Sequence, residues 1–399
     1  MQFIADLHIH SRYSRATSRD CTPEMLEVWA RKKGLGLIGT GDFTHPAWRE
    51  ELAEKLSPAE EGVFILRKEY RRPGTAVCRQ ISSDTGKDFT AFDESACQPR
   101  FLLSTEISSI YKKGDKVRKV HNVILLPSFT AAESLSKKLE SIGNLHSDGR
   151  PILGLDSRDL LEITLNICPE AMFIPAHIWT PHFSLFGAYS GFDTIEDCFG
   201  DLTEYITALE TGLSSDPGMN WRVSALDRFQ LISNSDAHSP AKLAREANLF
   251  QTDRNYASIR TALEDKASDA FQGTLEFYPE EGKYHMDGHR RCKCCLTPAE
   301  TIAAGGKTPK TGPYQVGVKA AKPGQEATGI ILLTDSYNTV AFTNTYEVKK
   351  GSLEITKTVT GDRNWEQVKN TMSFKVTDET GAEITGSPVA GNAFTETTP

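Results

Sequence analysis

Phe3-Ile4-Ala5-Asp6-Leu7-His8-Ile9-His10-Ser11 opens the chain as an apolar run of strand length that ends in His-x-His. Side chains alternate along a strand, so His8 and His10 share one face, where two neighbouring imidazole nitrogens suit a metal ion. A lone pair of histidines is equally compatible with a solvated face. Repetition decides between the two readings. Five later runs carry the same chemistry: Leu37-Ile38-Gly39-Thr40-Gly41-Asp42 with His45, Phe101 to Glu106, His121 opening Asn122 to Leu126, Met172 to His177, and Leu231 to His238. Ligands at the ends of successive strands are what a closed (β/α) barrel predicts, because parallel barrels place their chemistry at the carboxyl ends of strands.

The 399 residues carry a formal net charge of -8 and 39% hydrophobic residues, enough for a sizeable core and for more than one domain. An acidic balance argues against coating nucleic acid by bulk charge, yet leaves room for a local basic groove. No apolar run approaches membrane-spanning length, and Asp6 and His8 interrupt any signal-peptide plan, so the expectation is a cytoplasmic protein without membrane contact. All eight cysteines precede Gly305 and are scattered, except for Cys292, Cys294 and Cys295. That pattern suggests free thiols with one candidate metal motif.

Thr22-Pro23 followed by Glu24 to Lys33 and Gly34 predicts a capped helix with a stop glycine, Leu35 to Thr40 a buried strand, and Pro46 to Leu56 a helix with Trp48 and Leu52 facing inward. This is βα alternation with a parallel sheet. Residues 57–99 interrupt it with a loop-rich insertion whose Arg67, Lys68, Arg71, Arg72 and Arg79 form the densest basic cluster. Such a cluster is either a solvated face or a phosphate contact. The alternation resumes at Phe101, with a strand around His121, helices over 131–142 and 157–167, a strand to His177 and further units to about Ala270. Trp179, His182 and Phe183 follow His177, with Phe186 and Tyr189 close behind, and aromatics there either stack on a base or pack beneath their loop. Beyond Lys307 there is no His and no Cys, and Thr-rich alternating strands signal an all-β composition.

Asp6-Leu7-His8-Ile9-His10-Ser11, Gly39 to Asp42, Glu106, His121, Ala176-His177 and Asn234-Ser235-Asp236-Ala237-His238 together resemble a PHP-type metallophosphoesterase. Gly41-Asp42-Phe43-Thr44-His45-Pro46, Pro175 to Pro181, and Tyr284-His285-Met286-Asp287-Gly288-His289 resemble endonuclease Q and its bacterial relatives within that superfamily. The resemblance covers residues 1–306. It implies an α/β fold with a distorted (β/α)7 barrel over 1–283, two or three divalent ions (Zn, Mn or Fe), and cleavage of DNA 5′ of deaminated bases (uracil, hypoxanthine, xanthine) or abasic sites. The implied metal ligands are His8, His10, Asp42, His45, Glu106, His121, His177, Asp236 and His238, with Asp42, His45, His177 and His238 also catalytic. His8, His10, Glu106 and Asp236 are expected to hold one ion, and the rest to divide between the other ions and the phosphate. DNA is expected at Arg67, Lys68, Arg71, Arg72, Trp179, His182 and Phe183. A phosphomonoesterase of histidinol-phosphatase type and an inactive binding scaffold are the rival readings.

Two departures from the pattern stand out. Arg15-Ala16-Thr17-Ser18 occupies the place of a frequent further Asp or His ligand, and the zinc knuckle begun by Cys292 and Cys295 in residues 284–306 lacks its second cysteine pair. The tail, 307–399, resembles incomplete Ig-like, Cna-B-like repeats of Gram-positive surface proteins and pilins. The matching pieces are Thr339 to Tyr346 and Gly351 to Gly361. The reading is two unrelated sequences joined near Lys307.

Overall fold

The computed structural model describes residues 1–72 and 98–281, with short stretches (287–289, 294–303, 307–308 and 312–313) beyond them. Arg79, Cys292 and nearly all of the expected β tail lie outside the described residues, as do the side chains around Cys295. Internal contacts divide the chain into a unit Met1–Thr311 and a unit Gly312–Pro399. The site and every element that builds it lie in the first.

The first strand, β1 (Gln2–Asp6), pairs in parallel with β2 (Leu35–Gly39), which pairs in parallel with the start of β5 (Arg100–Lys113). Helices α1 (Pro23–Lys33) and α2 (Pro46–Lys55) make the crossovers. Thr22 caps α1 by accepting from Met25 N at 3.4 Å, and Trp48 and Leu52 are wholly buried, as the sequence pattern predicts. The expected loop-rich insertion instead starts with two short strands, β3 (Leu56–Pro58) and β4 (Phe64–Leu66), paired antiparallel and laid on the edge of β5. Phe64 and Leu66 are buried, and that apolar burial fixes the start of the insertion against the sheet.

Parallel alternation ends at β5. Its successor, β6 (Lys116–Leu126), runs antiparallel to it from Leu103↔Leu126 to Lys113↔Lys116, and β8 (Met172–Pro175) runs antiparallel to β6. Only Gly114 and Asp115 separate the paired Lys113 and Lys116, too few residues for a crossover, and Gly114 takes the left-handed φ of 61° that the tight turn needs. A two-residue strand, β7 (Ile152–Leu153), pairs in parallel with β5. Glu106 and His121 consequently sit within long strands and not at strand ends. Helices α3 (Phe129–Glu140) and α4 (Ser157–Ile167) follow β6 and β7. Two further strands, β9 (Ala208–Glu210) and β10 (Gln230–Ile232), pair in parallel, while β11 (Ala247–Gln251) and β12 (Phe271–Leu275) extend β1 on its other edge.

One apolar cluster lies where α1 to α4 meet the sheet, around Leu26, Trp48, Phe101, Leu135 and Leu160. A second gathers Ala5, Leu37, Leu102, Val123, Ile174, Ala208 and Ile232, side chains from seven different strands, and closes against Tyr256 and Ile259 of α5 (Tyr256–Glu264). Cys21, Cys168 and Cys198 are free and buried. Among the described residues no helix is long and apolar enough to cross a membrane.

The buried Tyr256 hydroxyl ties this helix to the sheet. It accepts from Met172 N at 3.1 Å and lies 2.8 Å from both the Leu125 and Glu170 carbonyl oxygens. Tyr256→Phe leaves those buried groups short of a partner, and denaturant unfolding should show a loss of about 1–3 kcal/mol.

Candidate metal centre

The centre forms where β1 overruns its last pair. His10 N donates to Ala237 O at 3.0 Å, and Leu7 N donates to the Asn234 side-chain oxygen at 2.7 Å, so the loop after β10 is stitched to the His-x-His segment. His177 follows β8, and Ile178 N donates to Glu210 O at 3.0 Å. Three site residues that are not glycine hold left-handed backbone: Asp42 (φ 50°), His177 (29°) and Asp236 (47°). Each such conformation costs of the order of 1–3 kcal/mol and persists where surrounding contacts enforce it.

Three groups of donors converge: His8 with His10 and Glu106, His10 with Asp236 and His238, and Glu106 with His121 and His177; in each group the ligand atoms lie within 4.8 Å of one another. Glu106 Oε1 is 2.7 Å from His121 Nδ1 and 3.1 Å from His177 Nε2, while its Oε2 is 3.3 Å from His10 Nε2. Asp236 Oδ1 is 3.1 Å from His10 Nε2 and 3.9 Å from His8 Nε2. His8 Nε2, His10 Nε2 and Asp236 Oδ1 are buried and make no well-aligned hydrogen bond. Orphaned polar atoms of complementary ligand type, facing one another away from water, fit a missing cation.

The opposite nitrogens of the two leading histidines are fully occupied. Both Glu210 oxygens lie 3.0 Å from His8 Nδ1, and Glu210 also accepts from Asn234 Nδ2 and from His177 N, each at 2.8 Å. Asp42 Oδ1 is 3.1 Å from His10 Nδ1, and its Oδ2 accepts from Ser11 N, Ser11 Oγ and Ser14 Oγ at 2.6, 2.7 and 2.8 Å. Thr180 Oγ1 meets His177 Nδ1 at 3.1 Å. Such partners fix which nitrogen faces a metal. Burial opposes charge on His8 and His10, but Glu210 with Glu106, and Asp42 with Asp236, outweigh it and hold both rings well above the ordinary histidine value. Burial acts against Glu106 too, and His121, Arg150 and His8 overcome it to hold the carboxylate well below its usual range. His121 is pushed down to about 4, chiefly by burial.

Seven of the nine expected ligands therefore meet: His8, His10, Glu106, His121, His177, Asp236 and His238. Asp236 joins His10 and His238, not the first group. Asp42 and His45 fall outside the three groups. Asp42 spends its oxygens on His10 and two serines, and His45 Nε2 faces the His146 carbonyl at 3.2 Å while its ring stacks on Tyr13. Of the expected DNA contacts, Trp179 is half-buried, stacks near Phe186 and donates to Asn220 Oδ1 at 2.7 Å, whereas His182 is exposed and lies parallel to the exposed Tyr189 with ring centroids 4.4 Å apart. Phe183 leans on His121 at 4.9 Å. Arg67 and Arg71 donate through Nε to the Leu56 and Leu66 carbonyls, and Lys68 and Arg72 are exposed. Sequence reasoning passed over Glu210, Asn234 and Arg150. Asn234 lay inside a quoted motif, Glu210 ended a three-residue strand without a neighbouring ligand to flag it, and Arg150 stood in a loop.

No protein-family profile matches the chain. It is 27% identical over 318 residues to the uncharacterized protein YqxK of Bacillus subtilis, covering 75% of this chain and 70% of that one. It is 31% identical over 193 residues to the uncharacterized protein MJ0043 of Methanocaldococcus jannaschii, covering 48% of this chain and 18% of the other. Among solved structures, the lesion-specific endonuclease PfuEndoQ of Pyrococcus furiosus superposes with a TM-score of 0.60 at 29% identity, covering 78% of this chain and 68% of that one. In sequence and fold the chain is similar to endonuclease Q. An endonuclease Q complex with a 27-mer duplex carrying an abasic lesion at the active site superposes with a TM-score of 0.61 at 29% identity over 78% of this chain and 69% of that one. Likeness to endonuclease Q, joined to the buried His and carboxylate donors, makes the chain a metal-dependent hydrolase.

Glu210→Gln removes acceptors that His8, His177 and Asn234 share. Chelator-competition titration should show metal affinity lowered about 10–100-fold in a protein that still folds. A second acid nearby gives a pH signature. Burial pushes the Glu246 carboxyl from its ordinary 4.5 up to about 8, with Glu276 and Glu210 adding to the effect and Ser233 Oγ, 2.6 Å away, opposing it. The folded chain then keeps a proton that the unfolded chain releases, so this group lowers stability as pH rises from about 4.5 to about 8 and not beyond. Glu246→Gln should flatten that part of the profile in unfolding measured at pH 5 and pH 8.

Proposed function

We propose that this chain is a DNA endonuclease that hydrolyses the phosphodiester 5′ of a deaminated base or an abasic site. The observation that carries the reading is the sharing of ligands: His10 belongs to two of the three donor groups, and Glu106 to two. A carboxylate shared in this way suits a bridge between closely spaced ions. His8, His10, Glu106, His121, His177, Asp236 and His238 would hold them, and imidazole with carboxylate suits zinc, manganese or iron better than magnesium. Bound divalent ions supply Lewis acidity and hydroxide near neutral pH, and stabilise charge in an in-line displacement.

Seven strands support the reading of a distorted barrel around this chemistry. β1, β2, β5, β6, β8, β9 and β10 each send an apolar side chain into one cluster, and the hydrogen bonds from Ile178 to Glu210 and from His10 to Ala237 link strands that the sheet ladders leave unpaired. The rim supports a nucleic-acid substrate. The loop bearing the exposed His182 and Tyr189 is tied to the centre, since Thr180 Oγ1 meets His177 and the Phe183 carbonyl accepts from His121 N at 3.1 Å. Exposed rings beside a metal centre suit stacking on a base drawn out of the duplex. The complex of endonuclease Q with an abasic duplex supports the same class of substrate.

The test is incubation of the metal-loaded protein with duplexes carrying uracil, hypoxanthine or an abasic site, beside undamaged duplex and simple phosphomonoesters. Nicking should appear 5′ of the lesion, vanish on chelation, and fall by at least about 10³-fold in His10→Ala, which removes an atom common to two donor groups. Hydrolysis of phosphomonoesters alone would overturn the reading.

A further inference from the structure

Beside the donor groups stands a permanent cation. Arg150 Nη1 donates to Glu106 Oε2 at 3.1 Å, with Glu106 wholly buried and the guanidinium 27% exposed. Its charge bears on Glu106, Asp236, His121 and His238, which places a single cation within electrostatic range of all three donor groups. Asp236 and His238, at 26% and 30%, are the similarly exposed members, so the three side chains mark the mouth of the centre.

The backbone places Arg150 there firmly. Asp148 Oδ1 accepts from both Arg15 N and Arg150 N at 3.2 Å, and Gly149 N donates to Tyr13 O at 3.0 Å. Gly149 lies directly on the floor of the site: a Cβ there would stand 2.4 Å from Asp42 Oδ2. Only a residue without a side chain lets the loop descend far enough for its neighbour to reach Glu106.

We propose that Arg150 binds the phosphate of the substrate, its fork engaging a non-bridging oxygen while Nη1 stays on Glu106. The inference rests on the reading of the centre as a phosphodiester hydrolase. A guanidinium offers five donors in a plane matched to phosphate, and Glu106 takes one of them. Arg150 is not alone on that carboxylate, since His8, His10, His121 and His177 surround it as well. A permanent cation beside donors built to hold cations is repelled when they are filled; Glu106 offsets part of that repulsion, and a further anion lying between them would offset more. A phosphate is that anion.

The experiment compares Arg150→Ala and Arg150→Lys with the native full-length chain after reconstitution with zinc or manganese. Three quantities are read: bound metal, binding of inorganic phosphate by calorimetry, and kcat and KM on abasic duplex. In Arg150→Ala, metal content should stay unchanged, phosphate binding weaken at least about tenfold, and kcat/KM fall about 10²–10³-fold. Arg150→Lys should recover part of both losses. Unchanged phosphate binding in Arg150→Ala overturns the proposal, and so does loss of metal in both variants, which would make Arg150 a positioning residue for Glu106. If the native protein cuts no DNA yet binds phosphate through Arg150, the proposed function fails and the assignment of Arg150 stands.

Discussion

A carboxylate sealed from water has to be met by positive charge or hydrogen-bond donors, or it gives up its own charge. Glu106 is such a carboxylate, wholly buried on a central strand, and four histidines and one arginine surround it. None of the five comes from its own strand. His8 and His10 lie beyond β1, His121 is on the antiparallel neighbour, His177 is beyond β8, and Arg150 precedes β7. Satisfying this one side chain therefore fixes the mutual placement of five segments. The two apolar clusters supply the hydrophobic driving force, but they are permissive about registers, and a centre with distances near 3 Å is not.

That demand also accounts for the strained corners. Asp42, His177 and Asp236 lie just past strand ends, where an ordinary extended continuation would carry the side chain on to the wrong face. A left-handed residue turns the chain at once. The cost is met by contacts that form only in the turned state: the two serines on Asp42, and Glu210 on the backbone of His177. Arg245 does the same for the turn at Asp236, donating through Nε to Ser235 O at 2.6 Å.

Much of this was legible in the sequence, and the reasons differ from segment to segment. His8 and His10 could be read because strand alternation is local and invariant, and the capped helix 23–33 because its signals lie within one turn of its ends. The antiparallel turn at β5 was missed although Lys113-Gly114-Asp115-Lys116 carries a hairpin signal, because the ligand pattern favoured parallel repetition. Asp42 and His45 sat at ligand-like positions, but whether a carboxylate faces a metal or a histidine depends on which nitrogen it meets. That is a matter of tertiary geometry. Glu210 and Arg150 act across 202 and 44 residues of sequence separation, and no local pattern encodes such pairings.

The stitching of Ala237 to His10 has a consequence in time. His8 and His10 leave the ribosome more than two hundred residues ahead of the loop after β10 that carries Asp236 and His238. At roughly 5–20 residues per second this is a delay of some tens of seconds, during which no complete donor group containing Asp236 exists. β1 must wait even longer for β11, its antiparallel partner at Ala5↔Asn248. The nascent chain thus carries ligands without a centre until the segment around Asp236 and His238 has emerged.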